Sequence, residues 1–171
     1  MNTLALTRSK YGLICAGTTL LFVAAQIQVP LQPVPVTLQT MAVMLLGLVF
    51  DKRSAVSAVL LYLGLGVAGL PVFAGFSNLA LVGPRAGYLI GFLGAVWVVT
   101  TLRERFGNPQ KFWAFVGLNL LGSTVIYMCG VAWLAASIGP KAAAMVGFVP
   151  FILPGLIKAG LLFGIVKFLR S

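Results

Sequence analysis

Residues 11–50, 54–84, 86–102, 112–140 and 142–157 contain no charged side chain, and most of the charges that do occur cluster at the ends of apolar runs. Such a chain cannot cover a folded core with a water-soluble surface. Only 8% of its residues are charged and 60% are hydrophobic, whereas a soluble domain has about 25% charged residues. Most of its exterior must face lipid. The expected fold class is therefore all-α: a polytopic integral membrane protein whose helices satisfy their own backbone polar groups.

The chain has 12 Lys and Arg against 2 acids, Asp51 and Glu104. In a soluble protein this excess would point to nucleic acid. Here the basic residues flank apolar runs, where they set topology and meet anionic headgroups. Membrane lipid is the expected partner, and nucleic acid is not.

A span needs roughly 20 apolar residues, fewer where the bilayer thins. The runs lay out as six transmembrane helices at about 9–29, 36–50, 54–69, 86–102, 111–137 and 142–169, in a single domain over residues 1–171. The first run, with Arg8 and Lys10 ahead of it and Phe22-Val-Ala-Ala-Gln26 at its end, has the outline of a cleavable leader. It is read as a span instead, because the rest of the chain crosses repeatedly and needs it for pairing. Six spans gather Arg8, Lys10, Lys52, Arg53, Arg103, Arg105, Lys111, Lys167 and Arg170 on one side, leaving Arg85 and Lys141 on the other. The asymmetry makes this a multi-pass protein of the cell membrane with both termini cytoplasmic.

The opposite side has two loops, VPLQPVPVTLQT (29–40) and Leu70–Arg85, rich in Pro and Gly and uncharged up to Arg85. Irregular backbone at membrane depth is tolerated only where protein or a cavity satisfies it. A pocket capped by these loops and facing outward fits that rule; buried connectors are the plainer alternative.

Catalytic motifs are missing. There is no GxxxxGK[ST], GxSxG or HExxH, no His, and no CxxC, with Cys15 and Cys129 far apart. The chain is not expected to be an enzyme or to hold a cofactor or metal. Any active transport must draw energy from a partner.

Lys158 is the first candidate for a binding site. It lies mid-way along the last span, ~17 Å from either interface at 1.5 Å per residue, too deep for its stem to snorkel fully. A lysine there costs ~3 kcal/mol even on the gentler scale. With no intramembrane carboxylate to pair it, an anionic ligand would suit; the alternatives are a neutral amine or bonds to carbonyls freed by Pro150 and Pro154. Gln26, Gln28, Gln32, Gln39 and Thr37 bring amides and a hydroxyl to the outer ends of the first two helices, suiting a neutral bidentate ligand or interhelical bonding. Asn78, Arg85 and Tyr88 surround the second loop: Arg85 for an anion or headgroups, Tyr88 for a ring or the interfacial belt. Gly87-Tyr-Leu-Ile-Gly91, continued by Ala95, reads as internal helix packing. Gly12-Leu-Ile-Cys-Ala16 offers either internal packing or a docking face for another membrane protein.

The segments PVPVTLQTMAVMLLGLVFDKRSAVSAVLLYLGLGVAGLPVFAG, GPRAGYLIGF and PFILPGLIKA, spanning about Pro33 to Ala159, closely resemble the BioY family. These are the biotin-specific substrate-binding (S) components of energy-coupling-factor (ECF) transporters. The resemblance implies six helices with cytoplasmic termini, biotin captured from outside under mobile loops, and assembly with a transmembrane coupling subunit and two ATPase subunits. It also implies that the S component topples within the membrane to release its cargo inward. The glutamines and Asn78 then suit the urea-like head of biotin, aromatic and aliphatic walls its ring, and a cation, Lys158 with Arg85 as a second, its carboxylate. Gly12 and Ala16 resemble a variant of the small-residue step by which the family docks on its partner. The sequence departs from the family pattern at Gly155, where an Asp is usual three positions before Lys158, and at Arg85, where a small polar residue is more common. Another vitamin, a biotin precursor, or a non-transporting structural role remain as alternatives on the residues alone.

Overall fold

The computed structural model describes residues 10–78, 83–109 and 111–170, the side chains of 169 and 170 excepted. Arg8 and residues 79–82 of the long loop lie outside the described residues. The helices are α1 (Lys10–Gln26), α2 (Gln39–Val49), α3 (Lys52–Val67), α4 (Ala86–Phe106), α5 (Phe112–Ile138), α6 (Pro140–Gly147) and α7 (Val149–Arg170). Between α1 and α2 stands a two-stranded antiparallel ribbon, β1 (Gln28–Val29) with β2 (Val36–Thr37).

Helices α4, α5 and the continuous stretch Pro140–Phe168 are each long and apolar enough to cross a membrane by themselves. The shorter α1, α2 and α3 complete the six-span bundle. Leu60, Trp97, Leu121, Leu153, Leu156 and Leu161 are exposed to the outside of the bundle, which is the surface that lipid requires.

The boundaries differ from the sequence reading in four places, each for a local reason. Residues 27–29 and 36–38, expected to be helical, leave the helices for the ribbon and its flanks, where Gln28 pairs with Thr37 and Val29 with Val36. The prolines at 30, 33 and 35 forbid a helical ladder there. Helix α3 starts early, at Lys52, because the Asp51 carboxylate accepts the Ser54 N–H at 3.0 Å and caps it. Helix α4 runs on to Phe106, placing Arg103 and Arg105 in its last turn where the helix dipole favours cations. The predicted last span is two helices. Phe148 leaves helical geometry at φ −124° and ψ −51°, since Pro150 has no N–H to continue the ladder. Helix α7 then continues through Pro154 without interruption.

Glycines set the closest contacts. A Cβ at Gly91 would stand 2.9 Å from the Cα of Ile126, so α4 and α5 meet backbone to backbone along Gly87 and Gly91, as the GxxxG spacing implied. On α1 the close approach belongs to Gly17, where a Cβ would lie 2.8 Å from Ala58. Next to it Thr18 donates to the Ala58 carbonyl at 3.0 Å.

One end of the bundle is basic. Lys52 donates to Thr101 at 2.7 Å with its ammonium 4.6 Å from the Trp97 ring centroid, and Arg103 donates to the Phe50 carbonyl. Lys10 lies within electrostatic reach of Asp51. Phe163 packs on Phe112 and Phe115 at 5.1 and 5.2 Å, which brings the C-terminal half of α7 to this same end. The ribbon and the loop after α3 form the other end.

Two outcomes follow from this packing. Gly91→Leu should lower the melting temperature of the purified protein, at a cost of about 1–3 kcal/mol for overpacking, whereas Gly160→Ala, whose Cβ meets nothing within 4 Å, should not lower it, alanine being the better helix former. The bond from the Ser54 N–H holds the Asp51 carboxyl below its ordinary 3.8. The stability it contributes is therefore present above that value and lost as pH falls through the lower folded one. Asp51→Ala should cost about 1 kcal/mol at neutral pH and Asp51→Asn little, as unfolding between pH 2 and 7 would reveal.

Candidate functional site

At the loop end, β2 with the residues just before it, residues 73–74 and the facing turns of α2, α4, α5 and α7 line a narrow cavity that is open at its mouth. Its wall is mostly apolar and aromatic: Phe73, Leu89, Phe92, Ile126 and Phe151, with Tyr88 and Tyr127 among them. Thr37, Gln39, Thr40 and Arg85 supply the remaining polar groups. Above it lies a wider vestibule between the ribbon turn and residues 74–77 and 83–85, lined by Gln28, Gln32, Gly75 and Ser77 among others. Pro35, Ala74 and Arg85 belong to both spaces and mark the mouth between them.

The sequence places these walls through a few side-chain ties. The Thr37 hydroxyl accepts the Gln39 N–H at 3.2 Å and starts α2. The Gln39 amide donates to the Tyr62 hydroxyl at 2.7 Å, which donates in turn to the Val72 carbonyl at 3.0 Å. This buried relay joins α2, α3 and the loop, and Tyr62 also meets Phe73 edge-on at 5.4 Å. Gln26 clamps the same loop from α1: its Nε2 donates to the Phe73 carbonyl at 3.2 Å and its Oε1 accepts the Phe76 N–H at 3.3 Å.

The candidates from the sequence fall into separate positions. Lys158 is buried at 8% exposure and donates to the Thr37 carbonyl at 2.6 Å and to Thr40 Oγ1 at 3.3 Å. It stands behind these two lining residues rather than on the wall. Its acceptors come from β2 and the first turn of α2, and not from carbonyls freed by Pro150 and Pro154. Arg85 lines the mouth and donates to the Ala74 carbonyl at 3.2 Å. Tyr88 is buried in the wall; its hydroxyl donates to the Gly147 carbonyl at 2.8 Å and its ring stacks on Phe151 at 6.0 Å. Gln39 and Thr37 are on the lining, bonded to each other at 3.2 Å. Asn78 is exposed and donates to the Gly69 carbonyl at 3.3 Å, off the lining. Of the other glutamines, Gln28 and Gln32 line the vestibule while Gln26 serves the loop. On α1, Ala16 is exposed and Gly12 half-exposed, beside the buried Gly17 that makes the internal contact.

Sequence reasoning did not single out Phe73, Phe92, Tyr127, Phe151, Tyr62 or Thr40. In a chain this apolar, an aromatic facing lipid and one facing a cavity look alike, and only packing separates them. Among the described residues no group of His, Cys, Asp or Glu is arranged to hold a metal ion.

The family model described as the BioY family matches residues 1–171. A protein of Pyrococcus horikoshii named probable biotin transporter BioY is 38% identical over 152 residues, covering 88% of this chain and 89% of its own. The biotin transporter BioY of Thermotoga maritima is 42% identical over 151 residues, covering 85% and 88%. Among solved structures, the S-component for biotin from an ECF-type ABC transporter superposes with a TM-score of 0.84 at 24% identity, over 99% of this chain and 94% of that one. The likeness is in the fold.

The Gln26 clamp makes a local prediction. Gln26→Leu should speed hydrogen exchange at the Phe76 amide by about tenfold or more, since its side-chain acceptor is lost. The transmembrane amides of α4 and α5 should exchange as before.

Proposed function

The chain belongs to the BioY family, and from that premise we propose that it is the biotin-capturing membrane component of an uptake transporter. The observation that carries the reading is the aromatic cavity at the loop end, with a guanidinium at its mouth and neutral hydrogen-bonding groups within. Biotin combines an apolar thioether ring, a neutral cyclic urea and an anionic tail. The apolar wall suits the ring. Arg85 suits the carboxylate, and Lys158, close behind Thr37 and Thr40, adds positive potential in a medium of low dielectric. Gln39, Thr37 and Tyr88 frame the ligand, and Asn78 holds the rim through Gly69.

In this reading the loop end faces outward. The basic end, with Lys10, Lys52, Arg103 and both termini, faces the cytoplasm of a cell membrane, where anionic lipid retains it. The chain carries no nucleotide-binding loop, so inward delivery is energised by a coupling subunit and two ATPase subunits. The exposed step Gly12–Ala16, on the basic half of α1, is the docking face for the coupling subunit. The chain's own part is binding rather than catalysis.

Purified protein should bind biotin and gain about 2.7 kcal/mol of stability at a ligand concentration of 100 Kd, read as a rise in melting temperature. Lys158→Ala and Arg85→Ala should each weaken binding about tenfold or more while the protein still inserts and folds, as charge-assisted contacts are worth roughly 1.5–3 kcal/mol. The absence of any biotin-dependent shift, with a different small molecule identified by mass spectrometry after purification, would refute the reading.

A further inference from the structure

We infer that Tyr127 is the residue that reads the neutral polar head of the ligand at the closed end of the cavity, so that biotin lies with its urea inward and its carboxylate at the mouth. This rests on the biotin reading above. The cavity extends from Arg85, at the start of α4, to Phe92, about 10 Å further along that helix. Most of its polar side chains are already engaged. The Tyr88 hydroxyl is bonded to Gly147, the Gln39 amide to Tyr62 and Thr37, and Thr40 Oγ1 to Lys158. Tyr127 differs. It lines the cavity at 7% exposure, and its hydroxyl makes no hydrogen bond among the described residues. A tyrosine hydroxyl on a cavity wall with no protein partner is left for an occupant of the cavity to bond.

The ring is also held in place. It meets Phe148 at 5.7 Å and Phe151 at 5.5 Å, so little order has to be gained on binding. On the α7 side stands Gly155, where even an added Cβ would be 3.6 Å from the Tyr127 oxygen; no side chain from that position competes for the hydroxyl. A phenol both donates and accepts, which matches a cyclic urea with its carbonyl and N–H groups. The anionic tail is better served by the guanidinium at the mouth.

Tyr127→Phe removes the hydroxyl and keeps the ring. It should raise the Kd for biotin roughly tenfold with the ligand-free melting temperature unchanged, while Thr124→Ala, on the exposed face of the same helix, leaves the Kd as it is. The loss should vanish for an analogue lacking the urea carbonyl and persist for an analogue whose carboxylate is an amide. Gly155→Ser, which offers Tyr127 a hydroxyl from α7, should raise ligand-free stability and weaken binding. An unchanged Kd in Tyr127→Phe, or a loss that vanishes with the amide and persists without the urea carbonyl, would overturn the inference. Failure of the unaltered protein to bind biotin would overturn the reading beneath it, and the inference with it.

Discussion

The hydrocarbon core of a membrane offers no water, so each polar group inside it needs a partner from the protein or from a ligand. This constraint organises the molecule. Thr18 spends its hydroxyl on Ala58 of the neighbouring helix, and Thr100 on Val96 and Trp97 of its own. Tyr62, Gln39 and Thr37 satisfy one another in series and deliver the last bond to the loop at Val72. Several of these bonds join separate elements, so satisfying polar groups and fixing tertiary structure become the same act.

Lys158 is the most demanding case. No carboxylate lies within reach along its helix, and Asp51 and Glu104 are both far away at the basic end. The ammonium is accommodated by the Thr37 carbonyl and the Thr40 hydroxyl. These bonds lower the cost of its burial without cancelling its charge. The cavity therefore has a cation in its mouth and another behind its wall. The same bonds tie α7 to the ribbon end of α2, so the position of β2 and the electrostatics of the cavity depend on one side chain.

Rigid and yielding parts are distributed accordingly. The seam of α4 and α5 is glycine-close and leaves no room for adjustment. The start of the loop after α3 is held by hydrogen bonds from Gln26, Tyr62 and Arg85 and by the buried Phe73 ring against Tyr62. Bonds of this kind exchange readily, each contributing about 1 kcal/mol net.

By itself the sequence determined the membrane, the six spans, the basic end and the glycine seam of α4 with α5, because charge and hydrophobic run length act locally and lipid enforces them residue by residue. It also marked Lys158 and Arg85, since an isolated cation in an apolar chain is conspicuous without a structure. The tertiary structure decided the rest. It set Lys158 behind the wall, sent Gln26 to the loop and Gln28 to the vestibule, turned Asn78 away from the cavity, and brought Tyr127 in from α5 beside Phe151 of α7. It also broke the last span at Phe148. These depend on which helix faces which, and an apolar chain gives little sign of that: when lipid and core are equally greasy, hydrophobic periodicity no longer distinguishes the inside of the bundle from the outside.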